Sequence, residues 1–253
     1  MEIVMALLVG LAVGSFLNVC IARIPAGESI VSPGSRCPRC KTPIRWYDNV
    51  PVLGYLVLGG KCRACRAPIS IRYPIVEVIT AVAFVGQAYV TGPDPALLAS
   101  RLIFTAMLIV LFGTDLDVQR LPNVITLPGI VIGLAFSLIT PPGPIDSVIG
   151  AALGAGSLWF VRWGWHRLTG VEGMGLGDVK MLAMVGAFLG WKQVWITLFL
   201  ASITGAVLGL VLLGFKVRSL QSRLPFGTFL AVAAYLASTI GAPLASWYFG
   251  LMQ

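Results

Sequence analysis

Leu102-Ile103-Phe104-Thr105-Ala106-Met107-Leu108-Ile109-Val110-Leu111-Phe112-Gly113-Thr114-Asp115 decides how this chain folds. Uncharged and mostly apolar residues fill the run after Arg101, and a carboxylate closes it. With the apolar residues that precede it from 96 onward, it reads as a helix crossing a bilayer, which takes about 20 such residues. Seven other stretches read the same way: 3–22, 74–92, 124–140, 145–164, 178–191, 193–215 and 226–249. Together with 96–114 they make about eight expected transmembrane helices, of which the sixth, 178–191, is short. Composition agrees. The apolar set is 57% of 253 residues and charged residues are 11%, where about 25% charged is usual in soluble domains. A soluble globule has no interior for so much apolar sequence, so the expectation is an all-α polytopic membrane protein. Disordered and disulfide-rich secreted classes are excluded. No convincing internal repeat is found in the sequence.

The net charge of +8 does not imply nucleic acid, because of where it sits. Nine of the 18 basic residues lie between Arg23 and Arg72, and most others fall in short gaps between apolar runs. The positive-inside rule predicts this for cytoplasmic loops. The first span has Glu2 before it and Arg23 after it, the reverse of a secretory signal peptide, and is expected to be retained with its N-terminus outside. Alternation then places 23–73, 115–123, 165–177 and 216–225 in the cytoplasm. These loops and their flanks carry 16 of the 18 Lys and Arg, leaving Arg101 and Lys192.

Residues 24–73 form the one substantial polar insert, between the first two helices. It holds Cys37-Pro38-Arg39-Cys40 and Cys62-Arg63-Ala64-Cys65, with 21 residues between the pairs. Two such knuckles suit a four-thiolate, zinc-ribbon-like site, for which gaps of about 15–20 are common. Some fifty residues with few apolar side chains need a staple of this kind, and a reducing compartment argues against disulfides. A redox pair and incidental thiols are the competing readings. Cys20, inside the first helix, reads as a small buried hydrophobe.

Carboxylates inside membrane spans are costly and mark functional sites or polar cavities. Asp115 closes one span, in Gly113-Thr114-Asp115-Leu116-Asp117; Asp178 opens another, in Gly175-Leu176-Gly177-Asp178-Val179-Lys180; Glu77 lies near the start of a third. At about 1.5 Å per helical residue, Asp178 is ~20 Å from Trp191, and Asp115 is a similar distance from Arg101. Both aspartates are therefore expected at one depth, just inside the cytoplasmic face. Apposed carboxyls share a proton; one then acts as base on water and the other as acid toward a scissile peptide. Interfacial charges at helix ends are the plainer alternative. His166 is the single histidine and is expected in a basic loop. HExxH, Gly-x-Ser-x-Gly and P-loop motifs are absent from the sequence, so metalloprotease, histidine-assisted serine protease and nucleotide-driven transport readings lose their parts.

An ordered set of motifs now accumulates. Gly14-Ser15-Phe16-Leu17-Asn18-Val19 precedes Arg23-Ile24-Pro25, and the cysteine pairs flank Asn49-Val50-Pro51 and Leu58-Gly59-Gly60-Lys61. Ile69-Ser70-Ile71-Arg72-Tyr73-Pro74-Ile75-Val76-Glu77 follows, then Asp115 seven residues before Pro122, then the Gly-Leu-Gly-Asp178 motif. From about residue 10 to 190 the chain resembles the type IV prepilin peptidases, bifunctional leader peptidase/N-methyltransferases of bacterial inner membranes. The resemblance implies that prepilins and pseudopilins are cut at the cytoplasmic membrane face, after a glycine ending a basic leader. The new N-terminal residue is then methylated with S-adenosylmethionine. It maps the catalytic aspartates onto Asp115 and Asp178, with Asp117 a bystander. Asn123 stands where aspartate is often found, a minor departure. The large insert favours the bifunctional bacterial type over shorter archaeal preflagellin peptidases.

No soluble methyltransferase fold fits within fifty residues. The donor pocket is therefore expected between the insert and the helices, where Asn18, Arg72 and Glu77 could line it or simply orient the first two helices. The expected organisation is a first helix (1–23), a four-cysteine zinc insert (24–73) and a helical membrane domain carrying the protease site (74–253), with both termini outside. The expected partners are prepilin and pseudopilin substrates and the lipid bilayer, and no nucleic acid. A non-enzymatic scaffold or proton-coupled transporter using Asp115 and Asp178 as a relay is the alternative.

Overall fold

The computed structural model describes residues 2–171, 174–214 and 225–250. Among them are nine α-helices and one 3-10 turn, with no strand: α1 Glu2–Arg23, the turn Trp46–Asn49, α2 Leu53–Val57, α3 Arg72–Thr91, α4 Pro95–Val118, α5 Asn123–Phe136, α6 Pro144–Thr169, α7 Leu176–Leu189, α8 Trp191–Gly214 and α9 Phe226–Gly250. Apart from α2, each helix matches one expected span. Five are long and apolar enough to cross a membrane (α1, α3, α4, α6 and α8), so this is a multi-pass membrane protein. The expected loop 216–225, with Lys216, Arg218 and Arg223, lies almost wholly outside the described residues. The chain divides into two compact units, Met1–Gly92 and Pro93–Gln253.

In the first unit α1 and α3 form an antiparallel hairpin. The reason is a stripe at four-residue spacing on α1, Gly10, Gly14 and Asn18, that meets Ala81, Glu77 and Tyr73 on α3. A Cβ on Gly10 would stand 2.6 Å from Ala81 Cα, and one on Gly14 2.7 Å from Glu77 Cα. Small residues let membrane helices approach this closely. Gly14→Ala should therefore force the two backbones apart and destabilise the protein by about 1–3 kcal/mol, the usual cost of overpacking. Thermal unfolding in detergent measures it.

The insert corrects one expectation, since a short repeat is present after all. Arg36-Cys37-Pro38-Arg39-Cys40-Lys41-Thr42-Pro43-Ile44 corresponds to Lys61-Cys62-Arg63-Ala64-Cys65-Arg66-Ala67-Pro68-Ile69, and the backbone repeats with it. Cys37 N–H donates to Thr42 O and Cys62 N–H to Ala67 O; Ile44 N–H donates to Ser35 O and Ile69 N–H to Gly60 O. Lys41 (φ 60°) and Arg66 (φ 57°) both adopt the left-handed conformation. The repeat is hard to see in sequence because each copy is nine residues long and half its positions differ. Arg63 clamps the second copy to the turn, donating through Nε to Asp48 Oδ2 (2.9 Å) and through Nη2 to Asp48 Oδ1 (2.6 Å). Its hydrogen bonds hold the Asp48 carboxyl below the usual carboxylate range.

In the second unit α7 is central. Every residue from Met181 to Leu189 is buried, so its 14 residues, about 21 Å at 1.5 Å each, need no lipid-facing surface. Glycines bring its neighbours in: a Cβ on Gly150 or Gly154 of α6 would lie 2.6 Å from Gly186 O and 2.4 Å from Leu182 O, respectively. α5 packs Gly129 and Gly133 against Met184 and Phe188 of the same helix. Phe104, Leu111, Met181, Leu182, Leu189 and Leu230 form the fully buried centre.

One local expectation changes. α6 continues to Thr169 and ends at Gly170 (φ 71°), so His166 is exposed in its last turn rather than in a loop. The segment Trp165–Leu168 contains no residue that breaks a helix. α4 starts at Pro95, next to the expected 96, with Asp94 as its N-cap, accepting from Ala96 and Leu97 N–H. Arg101 lies two turns inside that helix, with Nη1 buried.

Candidate active site and candidate metal centre

Asp115 lies one turn before the end of α4 and is 5% exposed. Its Oδ2 accepts two hydrogen bonds from one residue, Thr228: from the backbone N–H at 2.7 Å and from the hydroxyl at 3.0 Å. Thr228 is the third residue of α9, where helix N–H groups have no partner within the helix and favour negative charge. Asp178 occupies the equivalent third position of α7, whose N-cap is Gly175. A Cβ on Gly175 would lie 3.6 Å from Asp178 Oδ2. Each of the two carboxyls expected to form the site thus stands against the first turn of a helix, and Leu121 touches the starts of both helices. Asp117, two residues on, is exposed.

The connection after Asp115 explains the glycines. A Cβ on Gly177 would meet Leu121 Cβ at 2.9 Å, and one on Gly227 would meet Leu121 Cδ1 at 2.9 Å and Asp115 Oδ2 at 3.0 Å. Leu121 therefore fits between the starts of α7 and α9 only because both positions lack side chains. Pro122 then caps α5, and Lys180 Nζ donates to Asn123 Oδ1 at 2.9 Å, tying the start of α5 to that of α7. Arg162 of α6 donates to Met174 O, just ahead of α7. Gly227 and Thr228 were not among the expected site residues. The signal available was Pro225-Phe226-Gly227-Thr228, polar and small residues opening the last apolar span at the depth of both aspartates.

The four cysteines converge. Cys37 and Cys65 Sγ are 3.8 Å apart, Cys40 and Cys62 Sγ 4.0 Å, and all four lie within 4.8 Å of one another. A tetrahedron of thiolates with metal–sulfur bonds of about 2.3 Å has edges of about 3.8 Å, so the set fits one metal ion. The environment already separates the thiols. Hydrogen bonding with Thr42 holds Cys40 down to about 6, and the backbone N–H groups of Cys65 and Ala64 lower Cys62. At Cys65 the Ala67 N–H pulls the same way, but burial and the neighbouring thiols prevail and push it up to about 11. Cys20 is buried in α1, away from this set.

Of the three residues expected near a methyl donor, two have their polar groups bound to backbone. Asn18 Nδ2 donates to Gly14 O at 3.2 Å and to Tyr73 O at 3.1 Å, joining α1 to α3. Glu77 Oε2 accepts the N–H of Val52 at 2.8 Å, which steadies a β-branched residue at φ 60° and anchors the insert to α3. Arg72 is half-buried at the start of α3. A cavity of about 330 Å³ lies on another face of α1, lined by Ser15, Phe16, Arg23 and Asn49 among others. Arg23 shapes it by donating to Ser29 O at 2.9 Å.

Comparison with known proteins covers both units. Residues 8–91 match the family model described as the bacterial peptidase A24 N-terminal domain, and residues 102–210 match that of the type IV leader peptidase family. A prepilin leader peptidase/N-methyltransferase of Aeromonas salmonicida (strain A449) is 39% identical over 267 residues, covering 95% of this chain and 91% of that protein. One of the same name from Pseudomonas putida is 40% identical, covering 93% and 89%. A third, from Klebsiella pneumoniae, is 44% identical over 76% of this chain and 87% of that protein. No solved structure matches.

Proposed function

Since this chain belongs to the type IV leader peptidase family, we propose that it is an intramembrane aspartic endopeptidase and N-methyltransferase acting on prepilins and pseudopilins. It sits in a bacterial inner membrane, crosses it eight times with both termini outside, and works at the cytoplasmic face, where its basic loops lie. Asp115 and Asp178 are the catalytic pair, and the observation that supports this reading is that Asp115 is held at the first turn of α9 and Asp178 stands in the first turn of α7. One carboxylate takes a proton from water, which attacks the carbonyl carbon of the leader's terminal glycine. The other donates its proton as the carbon–nitrogen bond breaks, releasing the basic leader and a free amine. S-adenosylmethionine, when bound, would supply the methyl group for that free amine.

Functionally, residues 1–23 and the 24–73 insert join α3 in framing the donor pocket, while 74–253 carries the peptidase. Asn18, Arg72 and Glu77 belong to the pocket's frame: Asn18 and Glu77 hold backbone in place, and Arg72 stands at its edge. The four-thiolate site would take Zn²⁺ as a structural ion, which would offset half of the thiolates' charge and close the insert. The expected content is one zinc per chain by elemental analysis of the detergent-purified protein, lost in Cys62→Ser. A zinc-free protein with freely titratable thiols would refute the assignment.

A proton-relay scaffold or transporter would also use two carboxylates, but the names of the relatives do not favour it. The decisive experiment incubates purified protein with a prepilin, with and without S-adenosylmethionine, and weighs the products. The expected masses are the mature pilin without donor and the mature pilin plus one methyl group with it. An unchanged prepilin would reject the proposal.

A further inference from the structure

We propose that Thr228 is the positioning residue of the peptidase site: it pins Asp115 by Oδ2 and leaves Oδ1 as the oxygen that works with Asp178 and the scissile peptide. This rests on the assignment of Asp115 as a catalytic residue.

The physical need is rotational. A carboxyl turns about its last side-chain bond with a broad, nearly two-fold preference, so its two oxygens exchange roles unless something distinguishes them. Proton transfer between a carboxyl pair and a substrate requires one defined oxygen, and misplacement by about 1 Å costs on the order of 10²-fold in rate. At Asp115 the distinction is built in. Both hydrogen bonds reach the same oxygen, come from the same residue, and measure 2.7 and 3.0 Å. Thr228 is only 9% exposed, so water has little access to replace its hydroxyl.

The carboxyl is also walled on that side. Gly227 approaches so closely that any side chain there would lie 3.0 Å from Oδ2, 3.1 Å from Cγ and 2.9 Å from Leu121 Cδ1. Of the two donors, the backbone N–H is shared with Pro225 O at 3.3 Å. The hydroxyl is thus the undivided donor, and the one that substitution can remove.

Thr228→Val keeps the shape and deletes the hydroxyl, while Thr228→Ser keeps the hydroxyl and deletes a methyl group. With the full-length purified protein and a prepilin substrate, Thr228→Val should lower kcat for cleavage about 10–100-fold. KM should stay within about two-fold, and methylation of a precleaved pilin should keep its wild-type rate. Thr228→Ser should recover most of kcat. Thr228→Ala compared with Thr228→Ser repeats the contrast with smaller side chains, so the outcome does not depend on valine being tolerated. Equal impairment of the hydroxyl-bearing and hydroxyl-free variants would overturn the proposal, as would wild-type cleavage by Thr228→Val beside an inactive Asp115→Asn. If Asp115→Asn itself cleaves, the catalytic assignment fails, and the role of Thr228 fails with it.

Discussion

Asp115→Asn and Asp178→Asn should each lose leader cleavage by at least about 10²–10⁴-fold, the range that positioned acid–base groups contribute, while the protein still inserts. Asparagine preserves the size of the side chain and can still accept from Thr228, so packing around α4 and α9 survives. What disappears is the shared proton, which neither remaining carboxyl supplies alone. Asp117→Asn should retain most activity, because that side chain is exposed whereas Asp115 is buried. The assay is the mass of prepilin incubated with each variant. Full cleavage by either buried-site variant would remove the two-carboxylate mechanism.

The second large effect concerns order. An amine held in a peptide bond has no free lone pair to take a methyl group, so uncleaved prepilin cannot be methylated at that position. Cleavage in turn needs no donor, because both proton-transfer groups belong to the chain. Asp178→Asn is therefore expected to give no methylated product from prepilin, yet to methylate a precleaved pilin at the wild-type rate. The residues proposed to frame the donor, Asn18, Arg72 and Glu77, belong to the unit Met1–Gly92, and the two aspartates to Pro93–Gln253. Incorporation of labelled methyl groups into both substrates, side by side, tests it. A folded Asp178→Asn protein that binds donor but leaves precleaved pilin unmethylated would mean that the two activities share residues.

Much of this protein could be read from its sequence, because the relevant physics is local. Burying a run of apolar residues in lipid depends on the composition of that run, so α1, α3, α4, α6 and α8 appear where hydropathy expects them. The four cysteines declare themselves through spacing, since two residues between thiols are what a knuckle around one ion requires. Asp115 and Asp178 stand out because charge within a span is expensive wherever it occurs.

Contacts between elements distant in sequence could not be read this way. A helix of 14 residues is short for a span until α5, α6, α8 and α9 pack around α7, with Phe104 of α4 against its Phe188, and bury it. In sequence Asn18 and Glu77 could line a donor pocket or orient the first two helices, and the fold directs Asn18 to Tyr73 O and Glu77 to Val52 N–H. Thr228, 113 residues from Asp115, carries no mark of its own, because hydrogen-bonding threonines are ordinary in apolar helices. Hydropathy and ligand spacing are properties of neighbouring residues and were settled by the sequence. Which oxygen of Asp115 is held, and by what, is a property of two helix ends meeting, and only the tertiary structure decided it.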